Sequence, residues 1–208
     1  MKRKISSHSQ LCVLFLSCFF TILVSAQNNT GGKKISNELF GLFFEDINYA
    51  ADGGLYAEMV QNRSFEYSPA NHEGWHPYSF WQYLSPGHSI GRVSVESNNP
   101  IHPNNPTYIV LDVEVVGDYP RFKGESGVGL KNSGFNGMII REGDNYNFSV
   151  FGRTANETPM QLLVWLENAK GEVIATTPIS VTGNSWKKYS AQITANANCD
   201  NASLVVLI

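Results

Sequence analysis

Cysteine is scarce in this sequence of 208 residues, which contains Cys12, Cys18 and Cys199 and no others. The first two lie in an apolar run near the N-terminus, residues 11–24, so removal of that run would leave Cys199 alone. A single cysteine cannot form an internal disulfide. The mature chain must therefore rely on a hydrophobic core, for which its length is sufficient in a sequence with a hydrophobic content of 42% overall.

Basic residues are outnumbered by acidic ones, 15 Lys and Arg against 18 Asp and Glu, which gives a formal charge of −3. Loss of residues 1–26 would remove Lys2, Arg3 and Lys4 but no acidic residue, so the mature charge would be −6. Because an acidic chain repels phosphate groups, neither nucleic acid nor an acidic membrane is an expected partner.

The usual motifs for metals and phosphates are also missing. The five histidines are scattered, and His72 and His76, four residues apart, lie in a Pro- and Gly-containing stretch that does not favour a helix. Surface or packing roles suit these two residues better than a metal pair. No phosphate loop, serine elbow or Cys/His cluster occurs, so we expect no metal and no cofactor.

The N-terminus has the three parts of a secretory signal peptide: a basic start, the apolar residues 11–24 and a small-residue exit at Val24-Ser25-Ala26. Cleavage after Ala26 predicts a secreted or periplasmic protein that is not held in a membrane. An uncleaved anchor is disfavoured because the apolar run is shorter than the roughly 20 residues of a spanning helix. A lipoprotein signal through Cys18 is weaker still. Five Asn-x-Ser/Thr sequons imply glycosylation only in a host that glycosylates; they begin at Asn28, Asn62, Asn147, Asn156 and Asn201.

An apolar run that ends in two carboxylates is the most informative local feature. Residues 39–44 read LFGLFF, and Glu45 and Asp46 follow directly. A continuous apolar run of this length predicts a strand buried on both faces of a parallel sheet. Successive strand residues point to opposite faces, so Glu45 and Asp46 cannot both face one ligand without a bend, and Asp46 is interpreted as structural.

A helix is predicted after this strand. Asp52-Gly53-Gly54 signals a loop, and Leu55 and Met59 lie four apart, which favours a helix over residues 55–62. Residues 27–67 are therefore predicted to form one β/α unit. Residues 68–90 are rich in aromatics without a clear period, and we interpret them as a packed connector between two domains. Stacking of these aromatics on sugars is the alternative.

Short strands separated by turns are predicted from residue 91 to residue 208. Tyr146, Phe148 and Val150 alternate with polar residues, as in a half-buried antiparallel strand. Similar segments occupy residues 108–116, 160–167, 173–180, 187–194 and 203–208. Their spacing predicts a β-sandwich. Because the last residues, SLVVLI, end without a turn, we expect an incomplete sandwich whose last strand is an exposed edge.

Three tryptophan and tyrosine side chains of this region could matter for sugar binding. Trp165 lies on the strand face opposite Leu162, Val164 and Leu166, where it could stack on a sugar or pack in a core. Trp186 and Tyr189 are expected in the core. The sequence does not decide whether the sandwich binds carbohydrate.

Two stretches resemble family 51 α-L-arabinofuranosidases. The first is ISNELFGLFFEDIN followed by ADGGLYAE and QNRSFE, and it is similar to the N-terminal portion of these enzymes. The second comprises NNP at residue 104, GVGL at 127, GFNG at 134 and WKKY at 186, and it resembles the carbohydrate-binding-like sandwich inserted after their first β/α unit. The resemblance covers nearly all of the mature chain.

The resemblance implies a mixed fold: the first β/α unit of a (β/α)8 barrel and a jelly-roll-like, galactose-binding-like sandwich, in a truncated chain. Active sites of such barrels form at the carboxyl ends of the strands. The resemblance implies that Glu45 binds hydroxyl groups of the arabinofuranosyl ring of the substrate. It implies a retaining hydrolase of arabinan, arabinoxylan or their oligosaccharides. No segment corresponds to the acid/base or the nucleophile of the family, so no catalytic residue is assigned.

A stand-alone carbohydrate-binding protein is the alternative function. It is disfavoured because one β/α unit cannot close a barrel of about 250 residues, and its apolar strand would lack neighbours.

Overall fold

The computed structural model describes residues 57–118 and 126–208. The predicted signal peptide, the strand at residues 39–44, Glu45 and Asp46 all lie outside these ranges. The described residues contain ten strands and one 3-10 turn, Pro86–His88, and no α-helix. No helix in this part of the chain has the length and apolar character required to cross a membrane.

The strands are short to medium in length and are numbered in chain order. They are β1 (Trp81–Leu84), β2 (Ile90–Glu96), β3 (Tyr108–Val115), β4 (Gly129–Asn132), β5 (Met138–Ile140), β6 (Asn145–Gly152), β7 (Met160–Glu167), β8 (Val173–Val181), β9 (Lys187–Thr194) and β10 (Cys199–Leu207). All their pairings are antiparallel.

One large sheet and two strand pairs make up the described architecture. The large sheet has the order β1-β4-β10-β7-β8, and β5 adds to it by pairing with the start of β10. The other two sheets are the pairs β2–β3 and β6–β9. The described part of the chain is thus mostly β-sheet, as the strand pattern predicts, while the barrel unit and the jelly-roll topology stay predictions.

The main core lies between the large sheet and the β6–β9 pair. Alternate residues of β7, namely Leu162, Val164 and Leu166, point into it and are buried. Inward-facing side chains of β6 close it from the other layer: Tyr146, Phe148 and Val150. Each fully buried aliphatic side chain stabilises the fold by roughly 1.5 to 3 kcal/mol relative to exposure.

The alternation rule locates the longer strands well. The structure shows β7 and β9 with the same bounds as the predicted segments 160–167 and 187–194. Glycine turns explain where β7 and β8 stop, because Gly171 and Gly183 adopt positive φ angles of 80° in the connections that follow these two strands. Four strands were not predicted: β1, β2, β4 and β5.

The last strand is not an exposed edge, and the expectation that it is one was wrong. β10 lies in the interior of the large sheet, hydrogen-bonded to β4 on one side and to β7 on the other. Beyond it, Ile208 exchanges two backbone hydrogen bonds with Val128, at 2.8 and 3.0 Å. Its continuous apolar run reflects burial on both faces of a central strand.

The helix predicted over residues 55–62 is also wrong where the structure describes it. Residues 57–60 have no regular structure and a turn begins at Gln61. Ala57 and Asn62 have positive φ angles of 49° and 53°, which a right-handed helix cannot contain. Tertiary hydrogen bonds override the local pattern, because the Gln61 N–H donates to the side chain of Asn132.

Candidate functional site

Glu45, the predicted substrate-binding residue, lies outside the described residues together with Asp46. The geometry of the candidate site therefore begins with the residues that continue the same sequence motif, from residue 57 onward. Three clusters stand out in the described part of the chain: an amide anchor, an aromatic stack and a cationic group around Trp186.

The amide anchor is built on Asn132 at the end of β4. Its side chain is fully buried, and its amide nitrogen donates to the backbone oxygens of Gln61 at 2.9 Å and Phe80 at 3.1 Å. Its amide oxygen accepts from the backbone N–H groups of Gln61 at 3.3 Å and Gly134 at 2.9 Å. Two donors and two acceptor lone pairs are all that an asparagine side chain has, so this one is fully satisfied.

Asn62, which follows the anchored residue Gln61, forms a second set of side-chain hydrogen bonds to the backbone. Its amide nitrogen donates to the backbone oxygens of Pro77 and Ser79 at 2.8 and 3.0 Å, and its amide oxygen accepts from the Tyr67 N–H at 3.2 Å. Its backbone oxygen accepts from the indole N–H of Trp81 at 2.9 Å. The turn at residues 61–65 is thereby fixed to the start of β1. Because Asn62 is only 4% exposed, its sequon is closed to glycosylation in the folded chain.

The aromatic stack joins Tyr67, the last residue of the predicted β/α unit, to rings of the predicted connector at residues 68–90. Tyr67 stacks on Trp75 with ring centroids 4.3 Å apart, and His72 stacks on Trp75 at 5.0 Å. Phe80 meets both Tyr67 and Trp75 edge-on. The segment also supplies β1 to the large sheet, so these rings continue directly into the β structure.

Tyr78 connects this segment to the β2–β3 pair. Its hydroxyl donates to the backbone oxygen of Val93 at 3.0 Å. Desolvation, and to a smaller extent the nearby Glu96 carboxylate, raise the pKa of Tyr78 above its usual value of 10.0. The phenol is therefore neutral, and its donated hydrogen bond is intact, across the physiological range.

Trp165 is buried and does not present its ring to a ligand. It is 3% exposed and packs with Val205 and Leu207 on the face of the large sheet opposite the main core. Its indole N–H donates to Glu167 at 3.0 Å, and the other carboxylate oxygen of Glu167 lies 2.6 Å from Lys131 Nζ. Of the two interpretations left open by the sequence, the structure supports packing.

Trp186, which was expected in the core, is instead half-buried at the surface. Its indole N–H donates to the backbone oxygen of Asn99 at 2.9 Å. The guanidinium of Arg153 lies 5.0 Å from the Trp186 ring centroid and 5.5 Å from that of Tyr108, and the two rings meet edge-on. Hydropathy could not distinguish this placement from a core position. Tyr189 does pack against the main core.

No group of three His, Cys, Asp or Glu side chains within residues 57–118 and 126–208 could hold a metal ion. The amide anchor is paired with backbone groups of the chain itself, and the rings of the aromatic stack pack on one another.

Comparison with known proteins relates the chain to one enzyme class. No family model matches the chain. It is 34% identical over 179 residues to an extracellular exo-α-L-arabinofuranosidase of Streptomyces chartreusis and 32% identical over 189 residues to α-L-arabinofuranosidase 1 of Arabidopsis thaliana, matches that cover 84% and 88% of this chain. The chain is homologous to α-L-arabinofuranosidases. The resemblance seen in the sequence is thereby confirmed.

A solved structure of an arabinose-bound GH51 α-L-arabinofuranosidase is similar in fold. It aligns with a TM-score of 0.61 and 27% identity, over 80% of this chain and 26% of that one. The chain spans 19% and 26% of the length of the two arabinofuranosidases named above. The similarity therefore extends over most of this chain but over a minor part of each relative.

Proposed function

We propose that the protein is an exported α-L-arabinofuranosidase that removes terminal non-reducing α-L-arabinofuranosyl groups from arabinan, arabinoxylan or their oligosaccharides. One observation carries the proposal: 34% identity to an exo-α-L-arabinofuranosidase across 84% of the chain. That relative is extracellular, which supports export through a signal peptide at residues 1–26. The arabinose-bound neighbour supports an arabinose-containing substrate.

Within this enzyme, Glu45 is proposed to bind the arabinofuranosyl ring. It directly follows an apolar run, and active sites of (β/α)8 barrels form at the carboxyl ends of strands. An ionised carboxylate accepts hydrogen bonds from sugar hydroxyls, and such charge-assisted bonds contribute roughly 1.5 to 3 kcal/mol each. Glu45 thus orients the sugar and takes no part in proton transfer.

The reaction is proposed to retain the anomeric configuration. A retaining glycosidase needs a nucleophile and an acid/base whose carboxyl groups lie about 5 to 5.5 Å apart. By resemblance to the family, no residue of this chain corresponds to the nucleophile or to the acid/base. The chain is therefore proposed to supply the first strand of the barrel, within residues 27–67, and the inserted sandwich, at residues 91–208.

Substitution of Glu45 tests the proposal in the intact enzyme. Glu45→Gln keeps the shape of the side chain but removes its charge, so kcat/KM on 4-nitrophenyl α-L-arabinofuranoside should fall by about one to two powers of ten, since 1.4 kcal/mol is a factor of ten. Asp46→Asn is the matched control, and it should change stability more than rate.

Three results are decisive. A selective loss in Glu45→Gln supports the assignment. Wild-type kcat/KM in a folded Glu45→Gln enzyme would show that this carboxylate does not touch the sugar. Failure of the intact wild-type enzyme, rather than of this chain by itself, to release arabinose from any arabinoside would overturn the proposed activity and favour a non-catalytic carbohydrate-binding protein.

A further inference from the structure

The outer face of the β6–β9 pair has no role in the proposed reaction. Along both strands, every second side chain is exposed while those between them pack into the core. The exposed set lies on one surface, because side chains alternate between the faces of a strand. We call it the β6–β9 face; it consists of Asn145, Asn147, Ser149, Phe151, Lys188, Ser190, Gln192 and Thr194.

The residues of this face form cross-strand pairs. The register places Asn145 opposite Thr194 and Asn147 opposite Gln192, with two serines and then Phe151 opposite Lys188 beyond them. Thr194 donates its hydroxyl proton to Asn145 Oδ1 at 2.7 Å. Amides and hydroxyls offer donors and acceptors side by side, as the hydroxyl groups of a sugar require. Successive pairs are about 6.8 Å apart along a strand, so the face suits an extended chain.

An apolar and cationic end completes the surface. Phe151 is 51% exposed, and Lys188 Nζ lies 5.9 Å from its ring centroid. Continued by one step, the same register brings Arg153 opposite Trp186, where the guanidinium lies over the indole ring. An exposed ring beside polar groups can cover the apolar face of a sugar ring.

The charge of the face is opposite to that of the chain. The β6–β9 face contains Lys188 and no carboxylate, whereas the whole sequence has a formal charge of −3. Within residues 57–118 and 126–208, neither Lys188 nor Arg153 forms an ion pair with a carboxylate. This arrangement is complementary to an anionic ligand.

We propose that the β6–β9 face binds a polysaccharide chain that carries uronate groups. Its amides and hydroxyls would bond to sugar hydroxyls, Phe151 would stack on a sugar ring, and Lys188 would pair with a uronate carboxylate. The inference rests on the proposed function only for the choice of an arabinose-bearing polysaccharide. It assigns the face the task of holding the enzyme on its substrate, apart from the site of hydrolysis.

Binding is measured with the intact protein and one polymer in two forms, glucuronoarabinoxylan before and after chemical reduction of its carboxyl groups. Affinity gel electrophoresis gives the dissociation constant for each form. The unreduced polymer should bind about three to five times more tightly, the gain from an exposed ion pair. Phe151→Ala should weaken binding of both forms about tenfold, and Lys188→Gln should abolish the difference between them.

Two exposed side chains elsewhere provide matched controls. Ile139→Ala removes an exposed apolar side chain from β5, and Lys170→Gln removes a lysine from the turn after β7; neither should change binding. The protein should come from a host without N-glycosylation, because Asn147 begins a sequon and a glycan there would cover the face.

The outcomes separate this inference from the proposed function. Hydrolysis of 4-nitrophenyl α-L-arabinofuranoside should be unchanged in Phe151→Ala and Lys188→Gln. If the intact wild-type enzyme binds the polymer but does not hydrolyse the arabinoside, the inference about the β6–β9 face stands and the proposed enzymatic activity is overturned. Equal affinity for the two polymer forms, or Phe151→Ala binding as tightly as Ile139→Ala, would overturn the inference even in an active enzyme.

Discussion

Residues 57–80 and the strands β6 to β10 are stabilised by different interactions. The strands have continuous backbone ladders and share a core of aliphatic side chains between two layers. Residues 57–80 have no strand or helix, and their backbone is held by hydrogen bonds within turns and by the side-chain amides of Asn62 and Asn132, with stacked rings packed beside it.

The difference shows how an irregular segment can be as defined as a sheet. Every buried backbone N–H and C=O needs a partner, and a segment without a ladder finds its partners in turns and among side chains. Asn132 supplies three such bonds, to Gln61 and Phe80, and Asn62 supplies three. Stability in this region is therefore concentrated in a few polar residues, whereas in the core it is spread over many apolar ones.

Asn132→Ala should have the largest effect on stability. It removes four hydrogen bonds at a fully buried position and leaves backbone groups of Gln61, Phe80 and Gly134 without partners. Breaking such a network should lower the free energy of unfolding by roughly 3 to 5 kcal/mol, measured by urea denaturation. The exposed Asn196→Ala should cost less than about 0.5 kcal/mol. A loss under about 1 kcal/mol for Asn132→Ala would show that the anchor is not needed.

Leu166→Ala probes the apolar core in the same way. Leu166 is buried on the inner face of β7, and truncation leaves a cavity that the neighbouring side chains fill incompletely. The expected loss is about 3 kcal/mol, within the range of about 2 to 5 kcal/mol for such changes. Ile139→Ala, at an exposed position of β5, is the control. Equal losses for the two variants would contradict the assignment of the core.

Gln61→Met should have the smallest effect and the opposite sign. The Gln61 side chain is buried, and its amide nitrogen has no hydrogen-bond partner. Methionine keeps the length and leaves both backbone bonds to Asn132 in place, so the variant should be more stable by up to about 1 kcal/mol. A destabilised Gln61→Met protein would indicate that the amide has a partner such as a buried water.

The sequence predicts the two regions unequally for a physical reason. Alternation and glycine turns identify β7 and β9, because in these strands the polarity of each residue reflects whether its own side chain is buried or exposed. Short strands such as β4 give too few residues for a period to appear. The bonds between Asn132 and Gln61 span 71 positions in sequence and those of the Asn62 side chain span 5 to 17, and no local pattern encodes them. Leu55 and Met59 therefore suggested a helix that tertiary bonds exclude.

The candidate site shows the same limit. Glu45 could be proposed from an apolar run followed by a carboxylate, together with a family resemblance, and its role stays a prediction. The β6–β9 face could not be recognised from alternation alone, because the register of β6 against β9 is needed to place Phe151 beside Lys188. Trp186 was misplaced since an aromatic residue beside a strand suits a core and a surface equally well.

Hydrogen exchange in Asn62→Ala tests most directly whether side-chain amides hold residues 57–80 independently of the apolar core. The variant removes the bonds from Asn62 to Pro77, Ser79 and Tyr67 and leaves the core intact. Exchange at the Tyr67 amide, which donates to Asn62, should accelerate about tenfold or more, while Val164 and Val205 in β7 and β10 keep their wild-type rates. The same acceleration at all three amides, or none at Tyr67, would contradict this account.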